Sequence, residues 1–448
     1  VYDLTTSGMP PRRFEQPAAS GFTHFQQSGT GAIRKYYNYF RVTPMLEPLD
    51  ELGTRWALVD ESATPGTYAT TLDSGIRCEV TVGPRSAVHR YTFPASDDAR
   101  IVVDPSHGGL DIELGKTNPL RARVELLGPG VSQSEIVVEG TPLAAHIECE
   151  ATGWRHQLWY DRRLVQGGTR LDLDHIRPTM LRPFGIMWRG PTHAGQSVEI
   201  RLGFSLRGLL RAEANLRADC GREQRSFDSR QARTERAWRE HLGTVRFEAA
   251  GAEHETVMAT SLYHSMIKPC FAADESPYWP ANGPFVFDIC TMWDIYRTQL
   301  PLITALFPER AVELANALLK ICEEEGNIPI GYRMARGADR FARQGSALAH
   351  PFLGDLCRLG IAGIDWEWAL PQMHFDLRRD HGEEYLERGI SHPITHTLDL
   401  AAAYRATAVV ARCVGDEQLA DQFESLAEGW TVAFDSETGL LVDSTYYE

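Results

Sequence analysis

The feature that most constrains the fold of this 448-residue chain is a change in the spacing of its apolar residues. Up to about residue 205, apolar and polar residues alternate, as in Ile76, Cys78 and Val80, which Arg77 and Glu79 separate. A period of two is typical of half-buried β-strands, and Gly, Pro and Asp turns divide many such short runs. Residues 1–205 are therefore predicted to form an antiparallel β-sandwich domain.

The spacing then becomes helical. Residues 206–249 carry many charges and few apolar positions, which predicts a solvated helical linker with Trp238 and Leu242 as its anchors. Residues 250–448 are predicted to be α-helical, with roughly seven helices. Within this region, Pro308 is predicted to open one helix and Gly326 to end it.

Composition excludes several classes of function. The net charge of −15 argues against a nucleic-acid or anionic-membrane partner, since phosphate binding needs a basic face. No apolar run approaches the roughly 18 residues that span a membrane, and the N-terminus has no signal-peptide pattern. The eight cysteines form no CxxC pair, so most are expected to be buried free thiols. The cysteines therefore leave the compartment unknown. The protein is expected to be secreted or periplasmic if a leader has been removed.

One short segment concentrates polar and aromatic chemistry. Trp293, Asp294 and Arg297 lie within about one helical turn, so a flat ring, a carboxylate and a guanidinium share one helix face or end. This combination suits a sugar, which has an apolar face and a rim of hydroxyl groups. The alternative is a helix in which the tryptophan packs and the aspartate pairs with the arginine.

Four blocks, in the same chain order, resemble glycoside hydrolase family 92. They are GFTHFQQSGTG in residues 21–31, RYTFPASDDARIVVDPSHG in residues 90–108, LYHSMIKP with the later WDIYR and GNIP in residues 261–330, and residues 395–441, which are similar to the family's TLEYAYDDW region. The resemblance implies a β-sandwich followed by an (α/α)6 barrel. It also implies exo-α-mannosidase activity that is calcium-dependent and inverts the anomeric carbon.

The resemblance also implies that part of the catalytic domain lies outside these residues. Six helical hairpins need about twelve helices, more than the number predicted here. We therefore expect residues 250–448 to be the first part of the barrel, completed by a complementary C-terminal fragment or chain, with a homo-oligomer as a further possibility. The family's base carboxylates and its calcium ligands are expected in that missing region, so no metal ligand is predicted here.

The catalytic acid is where the chain departs from the family. An inverting glycosidase uses two carboxyl groups roughly 6.5–9.5 Å apart. Alignment of GNIPIGYRM with the family's LPxWE places Tyr332 where the acidic Glu is expected. A tyrosine is a poor acid for an acetal oxygen. Asp339 is a substitute candidate, and its alternative is a loop carboxylate that pairs with Arg336 or Arg340.

Substrate-binding residues follow from the matched blocks. Trp293, Asp294 and Arg297 match the family's WDxxR, which the resemblance places around the terminal sugar. His24 and His264 come from the GFTH and LYH blocks, with a structural role as the alternative for each. Arg333 stands where the family has a hydrophobic residue, and it is a candidate for binding an anionic or differently hydroxylated sugar.

These observations leave three functional hypotheses. The first is an exo-acting, calcium-assisted glycoside hydrolase that removes a terminal sugar, an α-mannoside or a related sugar, from glycans. The second is a catalytically inactive sugar-binding relative of that family, and the third is a structural partner of an enzyme chain. A carboxylic acid facing the glycosidic oxygen would favour the first, and Tyr332 alone the second.

Overall fold

The computed structural model describes residues 18–25, 39–105, 120–138, 141–175, 182–221, 225–248, 251–280, 282–289, 292–333, 337–338, 345–379 and 382–442. The chain divides into two compact units, Val1–Ala259 and Thr260–Glu448. Residues 206–249, predicted as a linker, therefore belong to the first unit.

The first unit contains two antiparallel β-sheets. Its strands are β1 (Ala18–Ala19), β2 (Phe22–His24), β3 (Tyr39–Met45), β4 (Trp56–Thr64), β5 (Thr67–Leu72), β6 (Arg77–Val82), β7 (Ser86–Phe93), β8 (Ser96–Asp104), β9 (Leu120–Gly128), β10 (Val131–Val138), β11 (Thr141–Cys149), β12 (Arg155–Tyr160), β13 (Arg163–Leu164), β14 (Arg170–His175), β15 (Phe184–Thr192) and β16 (Gln196–Ser205). The ten-stranded sheet has the order β1-β4-β5-β6-β7-β16-β11-β10-β9-β14, and the six-stranded sheet has the order β13-β12-β15-β8-β3-β2. All strand pairs within the described residues are antiparallel, which confirms the predicted class of the N-terminal domain.

The two sheets pack face to face through aromatic side chains. Phe22 of the smaller sheet lies with its ring centroid 6.2 Å from those of Tyr68 and Tyr91 in the larger one. In β6, Cys78 and Val80 are buried as their alternation predicts. The core of this unit therefore lies between the inward faces of the sheets.

Two helices, α1 (Leu209–Asp219) and α2 (Phe227–Leu242), pack on the larger sheet. Phe227 is fully buried among Val88, Leu216 and Cys220. The predicted anchors Trp238 and Leu242 are only half-buried. The main anchor of α2 is thus its first residue, because the helix docks by its N-terminal end.

The second unit is mainly helical. Its helices are α3 (Ala252–Ser265, which begins in the first unit), α4 (Met292–Ile295), α5 (Gln299–Leu306), α6 (Pro308–Glu325), α7 (Ala349–Arg358), α8 (Trp366–Asp376), α9 (Gly382–Arg388), α10 (Thr395–Cys413) and α11 (Glu417–Ala427). The unit also contains short antiparallel strand pairs: β17 (Cys270–Phe271) with β18 (Val286–Phe287), β19 (Tyr332–Arg333) with β20 (Gly337–Ala338), and β21 (Phe434–Asp435) with β22 (Leu440–Leu441). The predicted helical domain is confirmed, whereas closure into an (α/α)6 barrel stays a prediction. Among the described residues, no helix has the length and apolar character needed to cross a membrane.

Helices α7 and α10 pack closely side by side. A Cβ atom placed on Gly354 of α7 would lie 2.9 Å from both the Cβ and the carbonyl oxygen of Ala406 in α10. Only a glycine allows the two backbones to approach this far. Helix α10 of this pair also carries Asp399, a carboxyl group of the candidate site.

Candidate active site

The WDIYR segment begins at α4 and is anchored by a buried methionine. Met292 is fully buried, and its backbone N–H donates to the carbonyl oxygen of Ile330 at 2.7 Å. The next side chain, Trp293, is half-buried, and Asp294 is exposed. The segment thus holds its backbone in the core while it presents an aromatic ring and a carboxylate at the surface of the second unit.

Arg297 follows α4 and is also exposed. Its guanidinium lies over the ring of Tyr296, 5.0 Å from the ring centroid, as in a cation–π contact. Its charge also acts on a carboxyl group from a distant part of the sequence, Asp399. The charge of Arg297 is therefore close enough to helix α10 to lower the pKa of Asp399.

Asp399 has the most unusual environment among the carboxyl groups of this cluster. It lies in α10, half-buried, and its Oδ2 accepts a hydrogen bond from the backbone N–H of Ser346 at 3.2 Å. Burial raises the pKa of Asp399 to about 6, although the Ser346 hydrogen bond and the charge of Arg297 lower it. A carboxyl group with such a pKa can hold a proton near neutral pH, which is what general acid catalysis requires.

The loop that presents Ser346 to Asp399 is tightly packed. A Cβ atom on Gly345 would lie 3.6 Å from Cε3 of Trp293 and 2.7 Å from Cδ1 of Leu348, so this loop lies against the tryptophan. Ala347 has a φ of 50°, in the left-handed region that non-glycine residues occupy at a cost of about 1–3 kcal/mol. Strained backbone of this kind persists only where the surroundings hold it, and it is common at functional sites.

A buried histidine contacts the backbone of the same loop. His350 is fully buried, with Nδ1 3.0 Å from the carbonyl oxygen of Ala347 and Nε2 3.2 Å from that of Met373. Burial lowers the pKa of His350, so its ring is neutral and donates to one carbonyl at a time. Asp376, whose carboxylate is 3.9 Å from Nε2, accepts hydrogen bonds from the backbone N–H of Ile328 and from Arg379.

Tyr332, predicted as a catalytic candidate, is fully buried. Its hydroxyl donates to Oε1 of Glu325 at 2.5 Å, and its ring contacts those of Tyr278 and Phe285 edge-on. Burial, together with the nearby Glu325 carboxylate, raises the pKa of Tyr332 far above its ordinary value. These surroundings are those of a packing residue. The catalytic assignment stays a prediction, with the geometry against it.

The other predicted residues lie apart from this cluster or outside the description. His264 is exposed near the end of α3, with its ring 5.7 Å from that of Tyr263. Arg333 pairs through its backbone in β19, and its side chain lies outside the described residues, as does all of Asp339. Their proposed roles remain predictions.

His24 lies in the first unit and takes part in a chain of hydrogen bonds. Its Nδ1 donates to the carbonyl oxygen of Phe40 at 2.8 Å, so in the neutral ring Nε2 is an acceptor. Nε2 of His89 donates to it at 3.0 Å, and Nδ1 of His89 accepts from the hydroxyl of Tyr91 at 2.7 Å. Both ring nitrogens of His24 are therefore used inside the β-sheet unit. Its predicted contact with substrate gains no support from this placement.

The structure thus brings Trp293, Asp294 and Arg297 together with Asp399, which was not predicted as a site residue. A signal for it was present: Asp399 stands in THTLDL, within the segment that resembles the family's TLEYAYDDW, at the place of the family's glutamate. Among the described residues, no group of three or more His, Cys, Asp or Glu side chains is arranged to hold a metal ion.

An antiparallel β-sheet unit, a helical unit and a cluster of Trp, Asp and Arg with a protonatable carboxyl are consistent with the glycoside hydrolase class that the sequence blocks predicted. Residues 13–205 match the N-terminal domain of glycosyl hydrolase family 92, and residues 211–445 match its catalytic domain. The chain therefore belongs to glycosyl hydrolase family 92, as the sequence blocks predicted.

Three relatives illustrate the similarity. An uncharacterized secreted glycosidase of Arthroderma benhamiae is 24% identical over 308 residues, covering 62% of this chain and 39% of the relative. The structure of a family 92 α-mannosidase from Bacteroides thetaiotaomicron in complex with mannoimidazole superposes with a TM-score of 0.79 at 22% identity, covering 96% of this chain and 60% of that one. An inverting mannosidase of the same family, from Bacteroides thetaiotaomicron VPI-5482, gives a TM-score of 0.76 at 19% identity. The superposition covers 95% of this chain and 63% of that one. This chain thus spans less than two thirds of the length of each.

Proposed function

We propose that this protein is an exo-acting glycoside hydrolase that removes a terminal sugar, an α-mannoside or a related sugar, with inversion at the anomeric carbon. Membership of family 92 supports the reaction class. The printed descriptions of two similar structures, a mannosidase with mannoimidazole and an inverting mannosidase, support the substrate and the stereochemistry. The observation that carries the proposal is the protonatable carboxyl of Asp399 beside the WDIYR segment.

The WDIYR segment supplies the sugar-binding chemistry. The ring of Trp293 stacks on the apolar face of the sugar, and the exposed Asp294 carboxylate accepts hydrogen bonds from its hydroxyl groups. Charge-assisted hydrogen bonds of this kind contribute about 1.5–3 kcal/mol each. The guanidinium of Arg297 donates to a ring substituent on the same side.

Asp399 is the carboxyl best suited to act as the general acid. In its protonated form it gives its proton to the glycosidic oxygen as the bond to the anomeric carbon breaks. Arg297 then stabilises the carboxylate that is left. The Ser346 N–H keeps the side chain in place before and after the transfer. This assignment replaces Tyr332 by a group whose pKa suits the task.

Calcium assistance is proposed on the family resemblance alone. Calcium binds several oxygen ligands, and the described residues contain no cluster of acidic side chains that fits it. The ligands, like the base that activates water, are expected outside these residues. No step of the reaction is assigned here to calcium.

A sugar-binding protein without catalysis is the second candidate. It is favoured by Tyr332, which stands where the family resemblance expects a glutamate and is locked in the core by Glu325. In that case the Trp293 surface would still bind mannose. Substrate turnover separates the two candidates.

The test compares Asp399→Asn with the unmodified protein on two α-mannosides. Hydrolysis of methyl α-mannoside needs a proton on its basic leaving oxygen, so we expect kcat to fall by about 100-fold or more. Hydrolysis of 2,4-dinitrophenyl α-mannoside should change far less, because that phenolate leaves without protonation. In the unmodified protein, kcat/KM for the methyl glycoside should decline above about pH 6, and this decline should disappear in Asp399→Asn.

The matched control is Asp416→Asn, which changes an aspartate at the N-cap of α11 to another good capping residue. It should leave both rates unchanged. An equal loss on both mannosides in Asp399→Asn would show that Asp399 is not the acid. Mannose binding by the unmodified protein without turnover of either substrate would establish the sugar-binding candidate instead.

The proposed setting is outside the cytoplasm, supported by the secreted relative. The proposed partners are the terminal sugar of a glycan and a complementary C-terminal fragment or chain, with a homo-oligomer as a further proposal. Support for the fragment comes from the share of the similar structures that this chain spans, 60% in the mannoimidazole complex.

A further inference from the structure

Helices α7 and α10 run parallel, as two contacts show. At their N-terminal ends the backbone of Ser346 meets Asp399. Further along, Gly354 lies against Ala406. Because residue numbers increase together on both helices, the next contact is expected toward their C-terminal ends.

Two cysteines occupy those ends. Cys357 lies in the last turn of α7 and is buried, and Cys413 is the last residue of α10 and is exposed. Burial, and then hydrogen bonding with the Cys413 thiol, raise the pKa of the Cys357 thiol to about 12. The two sulfur atoms therefore face each other across the helix contact, and one of them is open to solvent.

We propose that Cys357 and Cys413 form a disulfide bond when the protein meets an oxidising medium, and that this bond joins α7 to α10, the helix that carries Asp399. Disulfide formation needs Cα atoms within about 7 Å and side chains that point toward each other. The close approach of Gly354 and Ala406 brings the two backbones together within two helical turns of both cysteines, and the two thiols contact each other.

The oxidant is a low-molecular-weight disulfide such as oxidised glutathione. The exposed Cys413 thiolate attacks one of its sulfur atoms, which forms a mixed disulfide and releases one glutathione thiolate. The Cys357 thiolate then attacks the Cys413 sulfur and releases the second glutathione. Each protein thiol loses one proton, two electrons pass to glutathione, and one S–S bond replaces another.

Three of the other cysteines show no such partner among the described residues. In the first unit, Cys78 lies in β6 and Cys149 in β11, three strand positions apart in the larger sheet, about 14 Å. That distance is about twice what a disulfide can bridge. In the second unit, the Cys322 thiol donates to the carbonyl oxygen of Gln372. The proposal is therefore specific to one pair.

The experiment treats the purified, native 448-residue chain with oxidised glutathione, blocks the remaining thiols with iodoacetamide in denaturant, so that buried thiols also react, and digests the protein without reduction. Mass spectrometry is expected to find one cross-linked peptide pair, containing Cys357 and Cys413, with Cys78 and Cys149 alkylated. The oxidised protein should melt at least about 3 °C higher than the reduced one. This rise should be absent in Cys413→Ser, a change at an exposed position that leaves the core intact.

Three results would overturn the proposal. One is a Cys413 that remains a mixed disulfide with glutathione while Cys357 is alkylated by iodoacetamide. Another is a Cys413 linked to any other cysteine, in the same or another molecule. The third is an oxidised protein with no cross-link at all. Cys357→Ala provides a second check, because it should trap Cys413 as the mixed disulfide under the same conditions.

Discussion

Burial raises the pKa of the Asp399 carboxyl to about 6 and lowers the pKa of the His24 imidazole to about 4. The physical cause is the same, because a poorly solvated site disfavours the charged form of either group. For Asp399 the favoured neutral form is an acid, which suits proton donation. For His24 the favoured neutral form is an imidazole whose Nε2 accepts the hydrogen bond from His89, which in turn accepts one from Tyr91.

The histidine chain predicts a loss of stability in acid. A protonated His24 would place an N–H against the N–H of His89, so the folded protein binds this proton only near pH 4. The unfolded chain binds it near pH 6.5. Stability from this group is therefore complete above pH 6.5 and is lost as pH falls from 6.5 to 4, by at most about 3 kcal/mol.

Denaturant unfolding between pH 4 and 7 measures this effect. His24→Gln should lower stability at pH 7 and show a shallower decline toward pH 4 than the unmodified protein. The control, His193→Gln at an exposed histidine, should keep the original decline. Equal slopes for His24→Gln and the unmodified protein would mean that His24 does not titrate in this way.

At the scale of secondary-structure elements, helix α2 shows how few residues attach a charged helix to a sheet. Phe227 fills a fully buried position, and the guanidinium of Arg90 lies 4.4 Å from its ring centroid. Thr234 adds a hydrogen bond to the carbonyl oxygen of Val82 at 2.5 Å. The remaining turns are mostly exposed, so the attachment depends on the first half of the helix.

Phe227→Ala should therefore lower the free energy of unfolding by about 3–5 kcal/mol, because it leaves a cavity in this part of the core. Leu210→Ala is the matched control, since Leu210 of α1 is 85% exposed and its loss should change stability by less than about 0.5 kcal/mol. Thermal or denaturant unfolding checks both. Similar losses for the two variants would show that α2 is not attached through Phe227.

Element boundaries that depend on local chemistry could be predicted from the sequence. Pro308 begins α6 and Gly326, with a φ of 81°, ends it, because proline fixes the first turn and glycine accepts the left-handed cap. The anchor of α2 could not be predicted in this way. The spacing within residues 206–249 pointed to Trp238 and Leu242 instead, and the burial of Phe227 depends on Val88 and Leu216 from other elements.

At the scale of the whole molecule, the change from β-strand to helical spacing predicts the order of the two structural classes, which the structure confirms. The candidate site could be predicted only in part. Trp293, Asp294 and Arg297 are close in sequence, so their proximity could be predicted from spacing alone, although Arg297 lies in the turn after α4 and not on the helix. Asp399 reaches them only through the fold, and its pKa depends on burial, which a single sequence does not reveal. The packing role of Tyr332 likewise requires Glu325 and Phe285 in place.

The central claim is that this family 92 protein releases single sugars with inversion. Proton NMR during the hydrolysis of an α-1,2-mannobiose tests it most directly, because the anomeric signals identify the first product before mutarotation. The predicted result is β-mannose released from the non-reducing end, since water attacks opposite the departing sugar in an inverting reaction. Release of α-mannose as the first product, or mannose binding with no release at all, would contradict the claim.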